Sequence, residues 1–402
     1  MSVMGNVTTL PVGPAPSLDL DFVAQRFSVS GREQNYADVI SHTRASSATF
    51  IDRSGVRRLA AANQPRFDYD PVTGLCRGLL IEEQRTNLLR QSASYDSAAW
   101  LKGGGISVTA PLDNAWGLNG SPLQLVTLSG TEGHHLWQVL PSALTIGVAY
   151  TLTLDVVAKT APFPIQLSYY DASTSLHSVL TTPTAVGVLQ RLRFTFTPTF
   201  SAVSPQIRLI GFSSGTAGAQ LYLGESQLEA GDSPTSNIPT TTAAATRAAD
   251  VVSLASLSPW FNPTETTVIV EAMQSFTPTA TPGPRAFSLF TNTTTYASMA
   301  RASNGACSVD VTNSGTGQIP GVSTVVADGV PFRGILALKV NDAAGAVNGL
   351  SLKTSASAAM PAPVQAMIGQ RGAGVAYWNG YVRRVMVFGK RLPNSQLTEL
   401  SR

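Results

Sequence analysis

Tyr150-Thr151-Leu152-Thr153-Leu154-Asp155-Val156 and, further along, Leu192-Arg193-Phe194-Thr195-Phe196-Thr197 decide the fold class of this chain. In both, apolar side chains recur at every second position with polar ones between, the period of a strand whose neighbours point to opposite faces of a sheet. Shorter strand-like runs, Ile207–Ile210, Gln220–Leu223 and Ser226–Glu229, follow closely and predict a β-sandwich over residues 92–239. Composition extends that reading. The 402 residues hold 34 Gly and 25 Pro scattered between such runs, and charged residues make up only 13%. Ordinary soluble domains carry about 25%, so coiled coils and helical repeats are excluded and an all-β chain is expected.

Outward from the centre, two more modules are expected. Met1–Ser17 carries Pro11, Pro14 and Pro16, which suit neither a helix nor a central strand, and reads as an extended arm. Leu18-Asp19-Leu20-Asp21-Phe22 alternates strictly, so Leu18, Leu20 and Phe22 share one face. Two hairpins follow, one turning at Asp52-Arg53-Ser54-Gly55 and one at Pro71-Val72-Thr73-Gly74. On the other side, Val268–Ala272, Ile335–Val340 and Arg384–Phe388 are the clearest strands of a second sandwich. The division is therefore an N-terminal hairpin module at 1–91, a sandwich at 92–239, a Thr/Ala-rich, protease-sensitive linker at 240–249, and a sandwich at 250–402.

Charge and cysteine count exclude further classes. The net charge of +3 is spread as +1, −3 and +5 over residues 1–91, 92–250 and 251–402, with no Lys/Arg run longer than Arg383-Arg384 or Lys390-Arg391. That is too thin for a nucleic-acid footprint. No stretch has the ~18 apolar residues of a membrane-spanning helix, and no basic, then apolar, leader precedes Asp19. Folding in the cytoplasm without membrane insertion is expected. Cys76 and Cys307 are read as free thiols.

Catalytic chemistry finds little support. Asp19/Asp21 and Asp68/Asp70 each place two carboxylates on one strand face, as a glycosidase would, but polar hairpin faces are the better explanation. His134, His135 and Glu132 invite a metal reading for which no further ligand stands nearby. No nucleophile elbow, zinc-helix motif or phosphate loop occurs. The chain is expected to be no enzyme and to need no cofactor.

Binding is easier to argue. Sugars are held by aromatic faces beside amides and carboxylates. In the middle module the candidates are Trp116, Trp137, Tyr169 and Tyr170, with Asn114, Gln138 and Asp171 as neighbours; in the last they are Tyr377 and Trp378. Trp137 alternates with His135 and Val139 and reads first as a core residue of the sandwich. Tyr169 and Tyr170 are adjacent, so one of them must face outward, and the same holds for Tyr377 and Trp378.

A resemblance adds context. Thr43–Phe50 (TRASSATF), Pro65–Asp70 (PRFDYD) and Gly78–Leu89 (GLLIEEQRTNLL) are together similar to the N-terminal module of many tailed-bacteriophage virion proteins, described as tail fibres, head fibres or carbohydrate-binding structural proteins. Gln227–Gly231, Ser236–Thr240 and Thr246–Asp250 resemble the last strand and exit of jelly-roll, carbohydrate-binding-module-like domains in phage fibres. Asn379–Phe388, with Arg391-Leu392 and Gln396–Leu400, resembles the close of concanavalin A/laminin-G-like sandwiches, with Pro393 where a small hydroxyl residue is usual and Asn394 or Ser395 left to cap the helical turn. The resemblance implies a non-enzymatic virion fibre or spike that contacts host glycans, with a decoration protein of head or tail as the alternative. It implies attachment to other virion proteins through the N-terminal module, where Leu18, Leu20 and Phe22 are the candidate added strand, and a homo-oligomer, most simply a trimer. Laminin-G-like sandwiches can hold structural calcium, for which the Asn341-Asp342 turn is a weak signal.

Overall fold

The computed structural model describes residues 14–402 apart from 111–112, 130–132, 163, 172–175, 213–216, 278–282 and 373. The named strands all pair antiparallel, and two short α-helices accompany them. The alternating central segments form a sandwich of two five-stranded sheets. One sheet runs in the order Leu101–Gly103, His134–Val139, Pro205–Phe212, Ile165–Asp171, Leu176–Thr181. The other runs Ile106–Thr109, Gln124–Leu128, Gln220–Ala230, Tyr150–Ala158, Gln190–Phe196. Leu152, Leu154 and Val156 meet Leu167, Tyr169 and Leu209 in its core. Gln220–Leu223 and Ser226–Glu229, expected as two strands, are one strand carried past Gly224 by a register shift opposite Leu154/Val156.

The second sandwich draws on both ends of the sequence. Its ten-stranded sheet contains Glu265–Met273, Phe332–Lys339 and Gly380–Phe388 together with Leu18–Asp21, Arg26–Val29 and Cys76–Ile81. Its eight-stranded sheet pairs Val251–Leu254 with Ile40–Thr43. Leu18–Asp21 lies between Arg26–Val29 and Gly380–Phe388, so both of its edges are hydrogen-bonded. Leu18, Leu20 and Phe22 are wholly buried against Val268, Val385 and their neighbours, each adding about 1.5–3 kcal/mol of apolar burial.

Four expectations are corrected here. Residues 18–81 are not a separate attachment module: they supply strands to both sheets of the C-terminal sandwich, because the apolar face of Leu18–Phe22 needs cover that two hairpins cannot give. For the same reason Leu18, Leu20 and Phe22 are unavailable for strand addition to another protein. The segment 240–249 is only partly an open linker: residues 241–244 are exposed, but Thr240 and Arg247 are buried and Ala245–Arg247 pairs with Arg85–Asn87. That pairing also places the chain's way into the middle sandwich beside its way out, so the sandwich is an insertion in the larger body. At the C-terminus, neither Asn394 nor Ser395 caps the helix Asn394–Leu400; Pro393 takes the N-cap position and its carbonyl accepts from Gln396 and Leu397 N–H.

The two predicted hairpins form, with strands Ala48–Ile51 and Arg57–Ala60 in the first and Phe67–Tyr69 and Cys76–Ile81 in the second. Asp52 accepts from the N–H groups of Ser54 and Val56, fixing the first turn. Gly78, at φ +121°, passes so close to Val382 that a Cβ would sit 2.5 Å from its carbonyl oxygen. Of the Met1–Ser17 arm, residues 1–13 lie outside the described residues. Cys76 and Cys307 are both free thiols.

Candidate functional site

Two places gather chemistry. The first is a buried ionic junction where the N-terminal strands, the insertion and the C-terminal sandwich meet. Asp250 accepts from Arg44 Nη1 at 2.8 Å and Arg66 Nη2 at 2.6 Å, and His42 Nε2 lies 3.2 Å away. Glu82 accepts from Arg66 Nη1 at 2.8 Å and from the N–H and Oγ of Ser236, while Arg247 Nη1 stands 3.1 Å off. All five charged side chains are buried. Although burial alone would raise it, the Arg247 and Arg66 charges hold the Glu82 carboxyl down at about 2. Asp250 is likewise held well below its ordinary value by Arg66, His42, Arg247 and Arg44, against the cost of burial. Every one of these residues except His42 lies in a stretch that carries the phage resemblance. Here they act as internal mortar: Arg44 also binds the carbonyls of Ala61 and Gln64, and Arg66 that of Thr49.

The second place is the outer face of the sheet Leu101–Gly103 to Leu176–Thr181. In the other sheet of the insertion the central strands Tyr150–Ala158 and Gln220–Ala230 are covered on both sides, but here even the strand His134–Val139 has one open face. Along His134–Val139, burial alternates, with His134, Leu136 and Gln138 inward and His135, Trp137 and Val139 half-exposed. Trp137 is the cross-strand partner of Arg208, and Arg208 that of Ser168; the next row joins Val139, Gln206 and Tyr170. The Arg208 guanidinium lies 3.8 Å over the Tyr170 ring, and the His135 and Trp137 rings meet edge to face. Burial, then the Arg208 charge, push the His135 imidazole below its usual range. Two strands across and one residue pair along, Trp137 and Tyr170 are about 12 Å apart by sheet geometry, and the exposed Leu101, Leu176 and Leu180 flank them.

The other predicted residues are elsewhere. Tyr169 is wholly buried, stacked on Phe196 and Phe200, so of the adjacent pair it is Tyr170 that faces out. Trp378 is core, its Nε1 donating to the carbonyls of Met273 and Tyr381, which leaves Tyr377 as the half-buried neighbour. Trp116 packs on Tyr222 by the opposite sheet of the insertion, away from Trp137. Asn114 and Gln138 are spent on backbone groups of Leu123 and Arg90, and the Asp171 side chain lies outside the described residues. The expected sugar-binding set is therefore not one site: only Trp137 and Tyr170 share a face. Sequence reasoning placed His135 beside Trp137 but missed Arg208 and Gln206 as companions, since pairing of residue 137 with 208 crosses a register shift that alternation does not announce.

The carboxylate pairs are not catalytic dyads. Asp19 accepts from Arg384 Nε and Nη2, one on each oxygen, and Asp21 accepts from Ala24 N–H. Asp68, expected on a polar hairpin face, is instead buried, accepting from Ile51 N–H and Tyr381 Oη, and burial raises its carboxyl. Asp70 closes its own turn and binds Arg77. His134 and His135 point to opposite faces, Glu132 lies outside the described residues, and among the described residues no three metal-ligating side chains converge.

No family model matches the chain, and no curated protein matches it. Solved structures give partial likenesses. The carbohydrate-binding module of a Ruminococcus gnavus sialidase, bound to α2,6-sialyllactose, is 13% identical with a TM-score of 0.29, over 35% of this chain and 85% of that one. A xylan-binding domain from Paenibacillus barcinonensis Xyn10C is 14% identical with a TM-score of 0.28, over 36% of this chain and 92% of that one. TmCBM61, in complex with β-1,4-galactotriose, is 17% identical with a TM-score of 0.27, over 35% of this chain and 97% of that one. Likeness this slight leaves the function of this chain to be argued from its own residues.

Proposed function

We propose that this chain is a non-enzymatic structural protein of a tailed-bacteriophage virion, a fibre or spike that projects from the particle and holds host glycans weakly on the open sheet of its inserted sandwich. The observation that carries the binding half is the pairing of Trp137 with Tyr170 on one uncovered face, flanked by Arg208 and Gln206. Aromatic faces offer stacking to the apolar side of a sugar ring, and the guanidinium and amide offer hydrogen bonds to its hydroxyls. The virion half rests on the resemblance of residues 18–90. Contact with other virion proteins falls to exposed parts of the N-terminal region, such as the edge strand Arg32–Gln34. Copies in a homo-oligomer, most simply a trimer, would multiply weak contacts into useful avidity. Replacing Trp137 and Tyr170 together by Ala is expected to abolish binding on a glycan array while the protein stays folded. Binding that survives the double replacement would refute the site, and a particle reconstruction lacking this chain would refute the virion role.

A further inference from the structure

Where the first hairpin, the insertion and the C-terminal sandwich meet, beside the ionic junction, they enclose a cavity of about 310 Å³. That is near the lower end of the roughly 300–1,000 Å³ of small-ligand clefts, room for one sugar ring rather than a chain of them. Six charged side chains line it: Arg57, Arg77 and Arg191 against Asp68, Glu82 and Asp155. The balance is even, so neither an anion nor a cation is favoured by the wall. Phe50, Leu189 and Phe276 supply apolar surface.

Polar capacity is left over there. Arg57 is 7% exposed and binds Asp155 through Nη2, but its Nη1 is buried with no partner. Arg191, on the same wall, likewise has a buried Nε with no hydrogen-bond partner. Asp155 takes both Arg57 Nη2 and, at 3.1 Å, Asn237 Nδ2 on Oδ2, which leaves Oδ1 as an acceptor with Arg191 Nε 3.8 Å away, beyond a hydrogen bond. A leftover donor and a leftover acceptor in one neutral, part-apolar cleft suit a ligand whose groups both give and take hydrogen bonds, and vicinal hydroxyls do that.

We infer that this cavity binds one neutral pyranose, as a second site distinct from the open face. It rests on the reading of the chain as a glycan binder but uses none of the open-face residues. The test is saturation-transfer NMR on the full chain with methyl glycosides of glucose, galactose, mannose and N-acetylglucosamine, and with glucuronic and sialic acids as charged counterparts. At least one neutral glycoside is expected to receive signal, equally at low and high salt. Its signal is expected to persist in the Trp137→Ala/Tyr170→Ala protein and to weaken about tenfold or more in Arg57→Met and in Ser275→Trp, which plugs the wall without touching an ion pair. Where Arg57→Met fails to fold, Ser275→Trp decides. Transfer to none of the neutral glycosides, preference for the acidic sugars, or loss in the open-face variant with retention in Ser275→Trp would each overturn the inference. Failure of the open-face reading alone shows differently, as array binding unmoved by Trp137→Ala/Tyr170→Ala while the cavity signal persists.

Discussion

The inserted sandwich and the body that holds it are built from equally alternating strands but assembled in opposite ways. Every sheet partner within the insertion comes from residues 101–230, whereas the enclosing body pairs Leu18 with Val387 and Thr43 with Val251. Alternation tells a strand which face is apolar; it does not tell it what will cover that face. In the insertion the cover is near in sequence, so the boundaries of a module can be read off the strands. In the enclosing body it is hundreds of residues away, and the same pattern in Leu18–Phe22 reads as a loose arm.

The largest effect that would break this contrast comes from deletion. Removing residues 1–91 takes away Leu18–Asp21, Ile40–Thr43 and Cys76–Ile81, strands of both sheets of the outer body, and is expected to leave the C-terminal sandwich unfolded and insoluble. Replacing residues 90–241 with a short turn is expected to leave the outer body folded, because Asn87 and Ala245 are already cross-strand partners. Circular dichroism and proteolysis of the two truncations decide the matter; a soluble, cooperatively melting 92–402 fragment would show that the N-terminal strands are dispensable after all.

Next in size is the ionic junction that joins the two. Asp250→Ala strands Arg44 and Arg66 in the interior, and breaking one side of a buried pair costs about 3–5 kcal/mol, measurable by urea unfolding. Acid is expected to act on the same junction. The Glu82 carboxyl is depressed from 4.5 to about 2 in the folded chain. The stability it contributes is therefore complete above pH 4.5 and lost as pH falls toward 2, a loss on the order of 3 kcal/mol. Glu82→Gln is expected to lower stability at neutral pH and to flatten the acid limb. Asp68 and Glu225, both raised chiefly by burial, work the other way and lose their contribution as pH rises. An acid limb unchanged in Glu82→Gln would remove Glu82 from the account.

How much of this was legible follows the same line. The fold class, both hairpins and most long strands stood in the alternation and the turn residues. The residues carrying the phage resemblance were visible too, yet their physical role was not, since a buried Arg44–Asp250 pair joins positions that nothing local relates. At the open face, Tyr169 and Tyr170 were correctly seen to point apart, but which faces out depends on the register against Ile207 and Gln206. Trp378 looked as surface-prone as Tyr377 because one acceptor of its Nε1 proton, the Met273 carbonyl, lies 105 residues away in sequence, on the strand paired with that of the other, Tyr381.

The smallest expected effect sharpens the contrast to two adjacent residues. Tyr169 is 0% exposed, stacked among Phe196, Phe200 and His177, so Tyr169→Ala opens a core cavity at a cost of about 3–5 kcal/mol. Tyr170, one position on, gives up mainly its contact with the Arg208 guanidinium at 3.8 Å, and a half-exposed cation–π pair is worth about 0.5–1 kcal/mol. A double-mutant cycle with Tyr170→Ala and Arg208→Ala is expected to return that coupling and little else, with thermal unfolding as the readout. If Tyr170→Ala costs as much as Tyr169→Ala, the face is covered by a neighbouring copy in solution, and its residues serve assembly rather than sugar. If the cost is small and glycan binding still falls, the ring is held at the surface for a ligand, because packing alone gives no reason to keep a tyrosine there.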